Sequence, residues 1–212
     1  TGFADECGKT LTSHPMVDRI AFTGGMETAK HIVRNSAENL SHVTLELGGK
    51  SPVAVFNDAR IDNALNGVTA GIFGASGQSC IAGSRLYIQE KIYDEFLEKI
   101  SNKAKNIKIG DPMSAQTQMG PLATINQLKN IQEKVEETVE QGGKIITGGK
   151  RVKEFSKGWF YEPTIIECNH HDLPVAENEL FGPVLSVMKF TNEEEATKMM
   201  NDNSYGLAAG IF

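Results

Sequence analysis

The chain has 212 residues, 40% of them hydrophobic and 23% charged, the balance of a globular protein large enough to bury a core and a site. No run approaches the ~18 consecutive apolar residues of a membrane-spanning helix, and the net charge of -6 with dispersed Lys and Arg disfavours nucleic acid, whose phosphates need clustered cations. The expected partner is therefore a small molecule, not a membrane or a nucleic acid. Cys7, Cys80 and Cys168 are far apart, with no CxxC pair and no His at metal-ligand spacing. That pattern predicts no metal site and no disulfide framework, and it suits a reducing, cytoplasmic setting. The opening residues, Thr1 to Glu6, carry neither an initiator Met nor a signal peptide, so the chain is expected to start inside a longer protein.

Strand and helix patterns alternate along the chain, which predicts an α/β fold with a largely parallel sheet flanked by helices. Ile20–Thr23 reads as a strand running into Gly24-Gly25, and Glu27–Asn35 as the helix that follows. Val43–Leu47 reads as a second strand ending at Gly48-Gly49, and Pro52–Phe56 as a third. Leu65–Phe73 has helical spacing and leads into a stretch of small residues from Gly74 to Gly83 that contains Cys80. Ser84–Gln89 suits a strand, Tyr93–Asn106 a helix, and Thr124–Glu140 a longer amphipathic helix stopped by Gly142-Gly143. Lys144–Thr147 and Pro183–Phe190 then read as strands, and Asn192–Asn201 as a helix in which Asn192 and Glu195 resemble a capping box. The last residues, Ala209 to Phe212, form a strand-like run that stops abruptly, a second sign of a fragment.

Cys80 sits in Gly77-Gln78-Ser79-Cys80, where small neighbours let a substrate approach the sulfur. Taken alone, a lone cysteine is more often a small buried apolar residue, and Cys7 and Cys168 are read that way. Glu46 places a carboxylate in an apolar strand. Burial there raises a carboxyl pKa toward the range of a general base, but Thr44 and Glu46 share one strand face, which solvent can equally claim. The turn Gly24-Gly25 between a strand and a helix offers backbone amides to a phosphate, although glycines in that position often serve only a tight connection.

Several segments together resemble the aldehyde dehydrogenase superfamily. Phe22-Thr23-Gly24 is similar to its cofactor-phosphate turn, Leu45-Glu46-Leu47-Gly48-Gly49-Lys50-Ser51-Pro52 to its glutamate signature, and Gly77-Gln78-Ser79-Cys80 to its cysteine signature. Glu179-Leu180-Phe181-Gly182-Pro183-Val184 resembles its ribose segment, and Asn203-Ser204-Tyr205-Gly206-Leu207 a later landmark. The order of the five segments matches as well, as does the separation between Glu46 and Cys80. The phosphate turn departs from the pattern, with Gly25 for a usual Ser or Thr and Ala29 for a usual Gly.

The resemblance implies an aldehyde dehydrogenase-like catalytic domain over residues 48–212, truncated at its C-terminal end, preceded by the remnant of a Rossmann-like cofactor domain over 1–47. It implies Cys80 as nucleophile and Glu46 as general base. For the cofactor, NAD with NADP possible, it implies Gly24 and Gly25 near the phosphates, Glu179 on the ribose, Phe181 beside the nicotinamide, and Leu47 as a further cofactor-binding residue. The activity implied is oxidation of an aldehyde to a carboxylic acid through a thioester, by a full-length homodimer or homotetramer. The isolated chain is expected to be inactive, because the family's oxyanion asparagine and adenine-binding strands lie upstream. A coenzyme A-acylating relative, a cysteine-dependent esterase and a non-catalytic protein keeping the fold are the competing classes, and Glu46 argues for hydrolysis. Ile81 and Phe73 are the expected apolar approach to the thiol, favouring a medium-sized aliphatic or aromatic aldehyde.

Overall fold

A computed structural model describes residues 2–212. The chain forms two compact units, one ending at Gly48 and the other running Gly49–Phe212. In the first, a π-helical turn and α1 (Lys9–Ser13) precede a strand-helix-strand unit of β1 (Arg19–Gly24), α2 (Met26–Ser36) and β2 (His42–Leu47). β1 and β2 are parallel, with Thr23 opposite Glu46 and Gly24 opposite Leu47. Both strands alternate exposed with half-buried residues, as a sheet with one wet face requires.

The second unit is built on a six-stranded sheet in the order β5-β6-β7-β4-β3-β8. Its strands are β3 (Pro52–Val55), β4 (Arg85–Gln89), β5 (Lys144–Thr147), β6 (Thr164–Glu167), β7 (Val184–Phe190) and β8 (Gly210–Ile211). All neighbours run parallel except the β5–β6 pair. Successive residues of the inner strands go to opposite faces, and both faces are buried. Val53, Val55, Leu86 and Ile88 join one core with α3 (Ile61–Phe73) and α4 (Tyr93–Lys105), while Ala54, Tyr87 and Met188 join the other with α5 (Ile125–Glu140) and α6 (Pro174–Glu177). Two-sided burial explains why these strands read as apolar runs without alternation. The helices show the complementary period: Phe96, Ile100 and Ala104 line one stripe of α4, and Leu128, Ile131, Val135 and Thr138 one stripe of α5.

The α/β class and the mostly parallel sheet agree with expectation, and each strand and helix anticipated above is present with ends shifted by a few residues at most. β6, α1 and α6 were not anticipated. All three are four or five residues long, below the length at which a period declares itself. The capping box is altered. Asn192 Oδ1 accepts the Glu195 N–H at 3.0 Å, but the Glu195 carboxylate turns back to the N–H of Thr191 at 2.8 Å rather than to that of Asn192. Phe73 is corrected outright: it is 3% exposed and packed in the core, unable to line an approach to Cys80. Among the described residues no helix is long and apolar enough to cross a membrane, and no group of three or more His, Cys, Asp or Glu is placed to hold a metal.

At the start of β4, Arg85 is fully buried. Its Nε donates to the Lys50 carbonyl at 2.8 Å, Nη2 to the Met200 carbonyl at 2.8 Å, and Nη1 to the Tyr87 hydroxyl at 2.8 Å. Longer contacts of 3.4 Å run from Nη1 to the carbonyls of Met199 and Asp202. The guanidinium thus caps the C-terminus of α7 (Glu193–Asn201), whose last carbonyls have no partner within the helix, and ties it to the segment entering β3. Replacing Arg85 by Ala removes a large buried side chain and strands these acceptors, so stability should fall by about 3–5 kcal/mol. Arg85→Lys should recover little of it, lacking the planar fork. Urea unfolding of the two variants measures this, and a loss below about 1 kcal/mol for Arg85→Ala contradicts it.

Candidate active site

Three of the resembling segments, and the Gly49–Pro52 end of a fourth, meet within the second unit. α3 ends at Phe73, and the chain then turns through Ala75, Ser76 and Gly77 with φ values of 50°, 58° and 71°. This left-handed run, sparsely populated except by glycine, swings the backbone so that half-buried Cys80 emerges from a loop. Gly77 is demanded twice. Its φ is positive, and a Cβ there would lie 2.1 Å from the Gly182 carbonyl oxygen. Gly49 is demanded by approach alone, since a Cβ would lie 2.9 Å from the Cys80 carbonyl oxygen.

The Gly49 N–H donates to Glu179 Oε1 at 3.1 Å. Glu179 and its neighbours Leu180 to Gly182 therefore sit against the backbone that also supports Cys80. The Glu179 N–H in turn reaches the Tyr205 hydroxyl at 3.5 Å, and the Leu207 side chain packs on Gly49. Phe181 is held at φ 50° and is 41% exposed, and Gln127 Nε2 donates to the carbonyls of Leu180 and Phe181. A narrow groove is lined by Gly49, Gly77, Ser79, Glu179, Phe181 and Gly182. Ile81, beside the thiol, is 61% exposed.

Burial pushes the Glu179 carboxyl up, against the lowering pull of the Gly49 N–H and of Lys50. Lys50 itself is 2% exposed. Its burial, aided by the Arg85 charge and opposed by Cys168 and Glu179, draws the ammonium down to about 7. Cys168 is buried, and that burial pushes its thiol up to about 12. A thiol so placed stays protonated, unlike a nucleophile.

The remaining expected residues lie in the first unit. Gly24 and Gly25 form the turn between β1 and α2, and Glu46 and Leu47 end β2 beside them in register. Gly25 precedes an eleven-residue helix with no side-chain cap on its first amides, the arrangement a phosphate exploits. A Cβ at Gly25 would touch nothing within 4 Å, whereas one at Gly24 would lie 2.5 Å from the Phe22 ring. Glu46 is exposed together with Thr44, so the apolar burial considered for it is absent. Sequence reasoning missed the contributions of Lys50, Gln78, Arg85 and Gln127. For Lys50 and Arg85 the signal was two cations at the edges of strongly apolar strands.

A sequence model of the Aldehyde dehydrogenase family matches residues 1–212. The (Z)-2-((N-methylformamido)methylene)-5-hydroxybutyrolactone dehydrogenase of Acinetobacter baylyi is 54% identical over all of this chain and 43% of its own length. The crystal structure of betaine aldehyde dehydrogenase from Staphylococcus aureus in complex with NAD+ superposes with a TM-score of 0.96 at 38% identity, over all of this chain and 42% of that one. A putative aldehyde dehydrogenase from Burkholderia cenocepacia gives a TM-score of 0.97 at 42% identity, over all of this chain and 44% of that one. The chain thus spans less than half the length of the relatives it matches.

The pull on Lys50 has a pH signature. Its folded value lies below the unfolded value near 10.5, so between about 7 and about 10.5 the unfolded chain holds more protons and stability rises with pH. The penalty for burying the ammonium is complete below about 7. Lys50→Met lacks this term, so from pH 7 to pH 9 the wild type should gain about 2 kcal/mol on the variant in urea unfolding. Parallel stability curves over that range contradict the assignment.

Proposed function

This chain belongs to the aldehyde dehydrogenase family, and from that premise we propose that the full-length protein oxidises an aldehyde to a carboxylic acid with NAD, using Cys80 as nucleophile and Glu46 as general base. The observation that carries the proposal is the convergence on Gly49: its Cα side abuts the Cys80 carbonyl and its N–H holds the Glu179 carboxylate. A nucleophile and a group suited to ribose hydroxyls are thereby fixed against one stretch of backbone. Support for NAD comes from the complex formed by the Staphylococcus aureus relative and from the fit of the residues present. Glu179 offers a half-buried carboxylate and Phe181, itself exposed, an aromatic ring, while the uncapped start of α2 after Gly24-Gly25 offers amides for phosphate. Leu47, paired with Gly24 in the sheet, completes the proposed cofactor residues.

The Cys80 thiolate attacks the carbonyl carbon, forming a C–S bond and an oxyanion. The Cys80 N–H has no acceptor among the described residues and is suited to stabilise that oxyanion. NAD, when bound, supplies the hydride acceptor that takes the carbon to the thioester level. Glu46 then removes a proton from water, the hydroxide adds to the thioester carbonyl, and the C–S bond breaks to release the acid and regenerate the thiolate. The assignment of Glu46 rests on its place in the glutamate segment and on its spacing of 34 positions from Cys80, and its exposure leaves the carboxylate open to water. The exposed Ile81 next to the thiol favours an aldehyde with an apolar portion.

In the full-length protein, Glu46→Gln should still acylate Cys80. Rapid mixing with aldehyde and NAD should show up to one NADH per site, followed by turnover slowed by about 10²- to 10⁴-fold. Cys80→Ala should show neither phase. Wild-type turnover by Glu46→Gln, or the absence of a burst at every pH tried, removes Glu46 from thioester hydrolysis.

A further inference from the structure

The turn before Cys80 places two non-glycine residues, Ala75 and Ser76, in left-handed backbone immediately before Gly77. Neither residue type holds that conformation unaided. Two tethers from the turn reach one neighbouring segment. Ser76 Oγ donates to the Gly120 carbonyl at 2.9 Å, and Gln78 Oε1 accepts the Ala123 N–H at 2.8 Å. The other end of the same amide closes the turn on itself, with Gln78 Nε2 donating to the Ala75 carbonyl at 3.3 Å while the Gln78 N–H donates to that carbonyl at 3.1 Å. The segment that receives the tethers is itself anchored: buried Leu122 donates its N–H to the Trp159 carbonyl at 2.9 Å, and the Thr124 side chain caps α5.

From this geometry we propose that Gln78 is a positioning residue for Cys80. Its side-chain amide spans the strained turn and the 120–124 segment, holding the backbone two residues before the sulfur so that the thiol meets the aldehyde in one orientation. Gln78 does not touch the reacting atoms. Ser76 is the second, weaker tether to the same anchor. The proposal rests on Cys80 being the nucleophile, and it goes further in assigning the control of that thiol to an amide side chain outside the reaction.

The test uses the full-length protein with Gln78→Met, which keeps the length and loses both amide bonds, and Gln78→Glu, which keeps an oxygen for the Ala123 N–H. Small misplacements of a reacting atom cost up to about 10²-fold. Gln78→Met should lower kcat about 10- to 100-fold and slow Cys80 alkylation by iodoacetamide, with the KM for NAD within about twofold of wild type. Gln78→Glu keeps the acceptor for the Ala123 N–H but sets a carboxylate oxygen against the Ala75 carbonyl, so its kcat should also fall below wild type. Ser76→Ala should lower kcat less, and the double variant should lose less than the product of the singles, because both tethers act on one anchor. A Gln78→Met enzyme with kcat within twofold of wild type overturns the proposal. If Gln78→Met does not fold, Ser76→Ala and Gln78→Glu decide: slowed turnover and slowed Cys80 alkylation in both, with the KM for NAD unchanged, support the tethers, and wild-type rates in both refute them. Turnover by Cys80→Ala would instead sink the nucleophile assignment, a result distinct from failure of the tether alone.

Discussion

A buried guanidinium must find acceptors, and in the larger unit the need of Arg85 organises the architecture around the site. Its donors are satisfied by backbone carbonyls at two places and by the Tyr87 hydroxyl, with no carboxylate partner at hydrogen-bond distance among the described residues. Through the Lys50 carbonyl it fixes the chain entering β3. Through the last carbonyls of α7 it fixes where that helix stops, and so where Asn203 to Leu207 begin. Tyr205 and Leu207 then reach Glu179 and Gly49. The Lys50 and α7 sides of the site are thus placed by one charged side chain, and four loops meet at Gly49 and Gly77, where no Cβ fits.

Burial, with the Arg85 charge second, sets the electrostatics of Lys50. Arg85 adds to the burial of Lys50 in drawing its ammonium down to about 7, while Lys50 in turn favours ionised Glu179. Cys168 stands near the same charges but is governed by burial, which pushes its thiol up to about 12. Cys80 is half-buried on a strained loop, where access and orientation are both available. The contrast between the two cysteines is one of environment, since a cysteine in an apolar strand end and a cysteine in a glycine turn differ in solvation before they differ in chemistry.

Much of the fold was legible because long elements carry a period: the stripe of α5 and the apolar run of β7 declare themselves. Short ones do not. β6 is four residues after Pro163 and α6 one turn starting at Pro174, each too short to show a period. Cys80, Glu179 and Phe181 were legible through resemblance, and the structure explains their surroundings by glycines whose necessity is visible only in three dimensions. Glu46 shows the limit of strand periodicity, which left its face undecided until the pattern of β2 placed it in solvent. Phe73 shows the limit of adjacency: seven residues before Cys80, it ends a helix facing the core. Gln78 was quoted only as part of a motif, because hydrogen bonds to a backbone amide 45 residues away leave no trace in spacing.

The central claim is that this loop makes Cys80, and not Cys168, the reacting thiol. Its most direct test is limiting iodoacetamide on the full-length protein, with peptide mapping and aldehyde oxidation followed on the same samples. The account predicts that activity falls in step with alkylation of Cys80, about one label per site lost, while buried and protonated Cys168 stays unmodified. Activity lost with Cys80 intact, or full turnover with Cys80 alkylated, would contradict it.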